Sequence, residues 1–325
     1  MNLIVIYTPL QFINARRFIS ENNQDSKIIV LASAKQNLDQ IRALDYEKLC
    51  SYPLLTFNFL HKEFLWIIKL VYVSLLNTTC YKSLVLGNYN DLSGYLLMLR
   101  FEKSKKNIFL LDDGMATVNI YYNRNALKKS KYVENVKGGN VGKILKIIGY
   151  LNTPIQSVTF YTNIDLDALS EPYNDKIVLF QQQKFDKPKS KDNSSVWFIG
   201  QPLVKNKIIN QQLFDELMVR IYSMLKLHFD NIIYIYHRSE NSRINENWTS
   251  RRLGLPIEEE IMLSNGNLPK AIITFYSTAI YNISQMDCGV ELYYVDISKH
   301  TSVNHSVTNV YTLLSKVKNL HEIEV

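Results

Sequence analysis

Apolar runs rich in β-branched and aromatic residues recur along the chain, and three of them stop at a short polar island. Ile108-Phe109-Leu110-Leu111 runs into Asp112-Asp113-Gly114, and Ile232-Ile233-Tyr234-Ile235-Tyr236 runs into His237-Arg238. Ala271-Ile272-Ile273-Thr274-Phe275-Tyr276 runs into Ser277-Thr278. Runs without polar alternation predict strands buried on both faces, as in a parallel sheet. Open α/β sheets bind ligands beyond the carboxyl ends of their strands. The three islands therefore mark where chemistry is expected.

Between these landmarks the pattern predicts strands over 2–7, 27–32, 83–87 and 107–111, and helices over 11–21, 36–44 and 92–101, with a turn at Thr8-Pro9. Residues 181–195 include Gln181-Gln182-Gln183 and Lys187-Pro188-Lys189, the polar, proline-bearing composition of a linker. Beyond it come strands over 196–199, 232–236, 271–275 and 291–295, a helix over 208–228 and a helical 279–285. No internal repeat is present. Strands alternating with helices on both sides of a linker predict two doubly wound α/β domains, 1–180 and 196–325, facing each other across a cleft. The last helix has the option of packing back on the first domain.

Composition fits a soluble enzyme: 325 residues, 46% of them hydrophobic, suffice for two cores. Cys50, Cys80 and Cys288 are widely spaced and odd in number, which argues for a reducing compartment and against a disulfide framework or zinc site. The start, Met1-Asn2-Leu3-Ile4-Val5-Ile6, has no signal-peptide pattern and reads as a first strand, so a cytoplasmic location is expected. The greasy stretch over 59–76 holds His61, Lys62, Glu63 and Lys69, which fits a buried helix better than a membrane span.

Charge is unevenly placed. Arg124, Lys128, Lys129, Lys131, Lys137, Lys143 and Lys146 stand against Glu134 alone over 124–150, in a chain of formal net charge +7. Val141, Ile144, Leu145 and Ile148 recur there at helical spacing. The stretch is either a solvated basic face whose helix buries its apolar side, or a surface that docks on anionic lipid head groups. Nucleic acid is not an expected partner, because no stacking pattern or binding motif accompanies the charge.

The islands offer specific chemistry. Asp113 is the first candidate for a general base, with Gly114 allowing the sharp turn that exposes it; alternatively, Asp112 and Asp113 bind the amides of the next segment. Asp215, on the helix over 208–228, is the second candidate base, although a helical Asp is more often an exposed charge. His237 ends a buried strand, where an imidazolium would donate to a phosphate oxygen, and Arg238 beside it suits a phosphate or carboxylate. Ser277 and Thr278 precede a helix, as an anion site or as plain caps. GxxxxGK[ST], GxGxxG and HExxH are all missing, so ATPase, dinucleotide and zincin readings have no support.

At these islands the chain resembles bacterial sialyltransferases, closest to the lipooligosaccharide sialyltransferase family (glycosyltransferase family 52). That family carries an acidic-Asp-Gly motif, a His-Pro motif and a Ser-Ser or Ser-Thr motif in this order, here Asp112-Asp113-Gly114, His237-Arg238 and Ser277-Thr278. Thr8-Pro9-Leu10-Gln11 after the first strand and Phe198-Ile199-Gly200-Gln201-Pro202 opening the second domain also look similar, and Arg238 departs from the family's proline. The resemblance implies the GT-B fold and an inverting, metal-independent transfer of sialic acid from CMP-sialic acid to a galactose-terminated surface glycan. It implies an acceptor side with Gln11, Asp112, Asp113 and Gly114, and a nucleotide side with Gly200, Gln201, Pro202, His237, Arg238, Ser277 and Thr278. It also implies an acidic residue on the ribose hydroxyls, here Glu260, with Glu258 and Glu259 adjacent. Alternatives are transfer of another nonulosonic acid, polysialic acid extension, or an inactive nucleotide- or glycan-binding protein of the same fold. No cofactor is expected; partners would be the CMP-sugar, a glycan acceptor carried on lipid, and the anionic inner face of the bacterial inner membrane.

Overall fold

A computed structural model describes residues 1–31, 35–44, 75–126, 143–144, 155–166, 175–180, 191–240, 244, 246–264 and 268–325. It divides into two compact units, Met1–Phe180 and Gln181–Val325. The expected helix over 59–76 lies outside the described residues apart from its last two positions. So does most of the basic stretch over 124–150.

The first unit is a six-stranded sheet in the order β2-β1-β3-β4-β5-β6 with every pair parallel. Its strands are β1 (Asn2–Ile6), β2 (Ser26–Val30), β3 (Ser83–Leu86), β4 (Asn107–Leu111), β5 (Thr159–Thr162) and β6 (Lys176–Leu179). Described helices are α1 (Pro9–Asn22), α2 (Lys35–Ala43), α3 (Leu92–Lys103) and α4 (Met115–Ala126). β1 is buried along its whole length, as its unbroken apolar run requires. Thr8 starts α1 with a capping box to Gln11 and Pro9 fills the first turn, while Asn23 ends it in the left-handed region at φ 45°. Phe18 meets Phe109 and Tyr161 edge-on at 5.1 Å each, which fastens α1 to the sheet.

Arg124 departs from the expectation. It is 2% exposed and forms a two-pronged ion pair with Asp175 at 2.6 and 2.7 Å, with Tyr89 Oη a further acceptor at 2.6 Å. Asp175 also accepts from Val158 N–H at 2.9 Å. Arg124 therefore fastens the end of α4 to the starts of β5 and β6, and it is not part of a basic surface. Within the remainder of that stretch Lys143 and Ile144 are described, and both are exposed.

The second unit is another all-parallel six-stranded sheet, β12-β11-β10-β7-β8-β9. It comprises β7 (Lys191–Ile199), β8 (Asn231–Ile235), β9 (Thr249–Arg251), β10 (Leu268–Thr274), β11 (Glu291–Tyr294) and β12 (Leu320–Glu322), with helices α5 (Gln211–Lys226), α6 (Ile257–Leu263), α7 (Thr278–Ser284) and α8 (His305–Leu314). Asn210 caps α5, which buries Phe214, Leu217, Met218, Ile221 and Leu225 along one face. Phe198 and Tyr234 stack at 5.7 Å with Trp248 edge-on to both.

β7 begins at Lys191, inside the segment expected to be linker. Its polar first half pairs through the backbone, Leu268 with Lys191 and Pro269 with Asp192, before the register shifts ahead of Ala271. Composition signals exposure, and backbone pairing needs no apolar side chain. The last helix stays with the second unit: Tyr311 Oη on α8 donates to Val295 O at 2.8 Å and accepts from Ile297 N–H at 3.0 Å, and β12 extends the sheet behind it.

Candidate functional site

In each unit the strand order reverses once, between β1 and β3 and between β7 and β10. Side chains at the carboxyl ends beside such a reversal border the crevice where open sheets take ligands. The predicted residues other than Asp215 and Glu260 fall on these two edges.

At the first edge, Gln11 is fully buried and its Oε1 accepts from Tyr7 N–H at 2.7 Å and Thr8 N–H at 3.3 Å. Gln11 thus shapes the turn out of β1, while its Nε2 has no hydrogen-bond partner among the described residues. Thr8 Oγ1 accepts from Gln11 N–H and donates to Asp113 Oδ1 at 3.0 Å, joining the end of β1 to the end of β4.

The two aspartates differ. Asp112 is 1% exposed; its N–H extends the ladder to Tyr161 O at 3.0 Å, its carbonyl accepts from Asn14 Nδ2 at 3.0 Å, and its carboxylate accepts from Gly114 N–H at 2.7 Å. Burial pushes its carboxyl up to about 6 against the hydrogen bonds that favour the anion. Asp112 is therefore the amide-binding scaffold that the turn requires. Gly114 sits at φ 62°, in the left-handed region open to glycine. Asp113 is half-buried, its N–H held by Thr117 Oγ1 at 2.7 Å and its carboxylate steered by Thr8. Of the two carboxylates it is the less buried.

At the second edge, Gly200 follows β7, and a Cβ there would lie 2.3 Å from Tyr234 Oη and 2.6 Å from Glu240 Oε2. The glycine makes room for a buried acid beneath the His237 loop. Gln201 Oε1 accepts from Tyr276 N–H at 2.8 Å and ties the end of β7 to the end of β10. These two residues serve as scaffold for the neighbouring loops, and Pro202 is half-buried beside them.

The His237 loop is held from several sides. Glu240, 2% exposed, accepts from Tyr234 Oη at 2.9 Å and from His237 N–H at 3.2 Å. Arg252 donates to Glu240 O at 2.6 Å and to His237 O at 3.4 Å, lying over the Tyr236 ring at 4.7 Å. Lys205 donates to Ser239 O at 2.8 Å. The His237 Nδ1 receives Ser239 N–H at 3.1 Å. Burial, then the nearby Arg238 and Lys205 charges, pull the imidazole down to about 4. These surroundings favour the neutral ring over the imidazolium. Arg238 is half-buried and makes no hydrogen bond or ion pair among the described residues.

Ser277 caps α7, accepting from Ala279 N–H at 3.3 Å, and Thr278 is buried at its first position. The acidic neighbour of this helix is Glu258, whose Oε1 accepts from Asn282 Nδ2 at 2.9 Å and whose charge interacts with Arg238. Glu260, the expected residue, accepts from Leu255 N–H at the start of its own helix. Ile257, Glu258 and Ile261 form the buried side of this helix, which turns Glu258 inward. Asp215 is exposed on α5 and bonded to Gln211 one turn earlier at 2.8 Å; the structure gives it the surroundings of a surface charge.

Glu240, Ser239, Arg252, Lys205 and Thr117 escaped the sequence reading. Glu240 and Ser239 lie within three residues of His237, the only signal that would have pointed to them.

No protein-family model matches the sequence, and no curated protein does. Solved structures do match. An α/β-galactoside α-2,3-sialyltransferase from Photobacterium phosphoreum aligns with TM-score 0.50 and 13% identity over 99% of this chain and 98% of that one. A UDP-N-acetylglucosamine 2-epimerase from Rickettsia bellii aligns with TM-score 0.50 and 13% identity over 98% and 88%. The S. aureus MnaA–UDP co-structure aligns with TM-score 0.51 and 8% identity over 95% and 86%. At such identities the likeness is one of fold: two Rossmann-like units with six-stranded parallel sheets, of the GT-B type.

Proposed function

We propose that this chain is an inverting glycosyltransferase of the family 52 sialyltransferase kind, taking sialic acid from CMP-sialic acid to a galactose-terminated, lipid-linked glycan at the inner face of the membrane. The observation that carries the reading is the division of chemistry between the two edges. One offers a steered, half-buried carboxylate, Asp113, and the other offers His237, Arg238 and the Ser277–Thr278 hydroxyls. In the proposed reaction the acceptor oxygen attacks the anomeric carbon of the donor and its proton passes to Asp113. The bond to CMP breaks with its electron pair on the phosphate oxygen. That oxygen is met by His237 Nε2–H, with Arg238 and the hydroxyls on the remaining anionic groups. Gln11, Asp112 and Gly114 hold the acceptor side in shape, and Glu258 is the better placed acid for the ribose. A monophosphate leaving group needs less charge neutralisation than a diphosphate, so transfer is expected to proceed without metal.

The test is incubation with CMP-sialic acid, with and without lactose-type acceptors and in the presence of EDTA, following CMP release and product mass. Sialylated product with EDTA present supports the reading. UDP-GlcNAc turned over while CMP-sialic acid is left intact would replace it with the epimerase class of the fold neighbours. No turnover of either, with CMP still bound, would leave a binding protein.

A further inference from the structure

The residue pair that follows His237 fixes more than a loop. A backbone N–H can only donate, and Ser239 N–H reaches His237 Nδ1 at 3.1 Å, so this contact favours a bare nitrogen there. Ser239 Oγ lies 2.8 Å from the same nitrogen, which makes it a second donor to the same lone pair. The ring proton therefore resides on Nε2. Ser239 itself is fixed by Lys205 on its carbonyl, and the loop's turn is closed by Glu240 N–H to His237 O at 2.9 Å over the buried Glu240 carboxylate.

We propose that Ser239 is a positioning residue that holds His237 as a neutral imidazole with its proton on Nε2, so that the ring meets an anionic leaving group as a hydrogen-bond donor and keeps its proton throughout. This rests on the reading of the second edge as the donor side. Among the described residues the charged groups that face this loop are Arg238 on the loop itself, Lys205 from the segment after β7, Arg252 on the His237 carbonyl from the segment after β9, and Glu240 on the His237 N–H. Arg238 and Lys205 act on the ring as cations and oppose a second ring proton. In the transfer step the departing phosphate keeps the bond electrons as negative charge, and no proton crosses from the imidazole. Ser239 thus decides which nitrogen faces the ligand, a choice that the two-nitrogen ring leaves open.

The experiment is nitrogen-15 histidine NMR on the full chain, with the His237 signals assigned by loss in His237→Gln. Wild type is expected to show a bare Nδ1 and a protonated Nε2 from pH 8 down to pH 5. Ser239→Ala, which removes one of two donors, should populate the Nδ1–H form and lower kcat for CMP release by roughly 2- to 10-fold, the scale of one hydrogen bond. Ser239→Thr, which keeps the hydroxyl, should restore both the spectrum and the rate. A wild-type ring that is doubly protonated at pH 7, or protonated on Nδ1, overturns the proposal, as does a Ser239→Ala spectrum identical to wild type. If the tautomer follows Ser239 as expected but no CMP is released from CMP-sialic acid by wild type, the role of Ser239 on the ring stands and the donor assignment falls.

Discussion

At the carboxyl edge of the first sheet the displayed groups are carboxylates held by hydroxyls and amides. At the edge of the second they are an imidazole, a guanidinium and two hydroxyls, held by a buried carboxylate and by backbone. In both, a buried glutamine accepts main-chain N–H groups at the mouth of the edge, Gln11 from Tyr7 and Thr8, Gln201 from Tyr276. The scaffolds are alike and the displayed chemistry differs: anionic at the first edge, neutral and cationic at the second. One framework is used twice, once in each unit, to display different side chains at the carboxyl ends of its strands.

The largest expected effect breaks the first edge alone. Asp113→Ala should lower kcat by at least ~10²-fold, the scale of lost general-base catalysis, with CMP affinity unchanged. Asp215→Ala should stay near wild type, because that carboxylate is an exposed partner of Gln211. The reverse ranking in steady-state kinetics would move the base to Asp215. The double change Ser277→Ala, Thr278→Ala should weaken CMP binding roughly 10- to 150-fold, the equivalent of about 1.5–3 kcal/mol for hydrogen bonds to a charged group. Equal CMP affinity in calorimetry would remove these hydroxyls from the anion site.

The edges should also answer acid in opposite senses. Asp112 binds its proton more tightly in the folded chain, about 6 against 3.8, so its contribution to stability falls as pH rises from 4 to 6. His237 binds its proton less tightly when folded, about 4 against 6.5, so its contribution is lost as pH falls from 6.5 to 4. Thermal melts compared with wild type should therefore show Asp112→Asn gaining relative stability toward neutral pH. His237→Gln should gain it toward pH 4. Parallel pH profiles of the two variants would contradict the assigned environments.

The smallest effect concerns the basic stretch over 124–150, now without Arg124. Binding to anionic vesicles should fall as salt rises, since exposed charges are screened over roughly 8–10 Å, and replacing Lys128, Lys129 and Lys131 by Gln should weaken it further. Equal partitioning onto neutral and anionic vesicles would leave these lysines as a solvated face. Among the described residues no helix is long and apolar enough to cross a membrane.

Strands buried on both faces were legible because their sequences have no polar alternation to hide, as in β1, β4 and β10. Strands whose role is only to pair were not, nor was β5, which is buried but only four residues long. β9 is three exposed residues, and β6 carries exposed Val178 and Leu179 at the end of its sheet order. The same division holds at the site. Residues that display a chemical group, such as Asp113 and His237, stood out after apolar runs. Glu240 did not, because its burial under Gly200 is a tertiary fact, and a Glu five residues past a strand ordinarily faces solvent. Arg124 misled for the matching reason: its partner, Asp175, lies 51 residues on.

The most direct test of the division between edges is calorimetric titration of CMP into wild type, Asp113→Ala and Arg238→Ala. The account predicts equal affinity for wild type and Asp113→Ala, and a roughly 10- to 150-fold loss for Arg238→Ala, whose guanidinium makes no hydrogen bond among the described residues. Loss of CMP binding in Asp113→Ala with Arg238→Ala unaffected would contradict it.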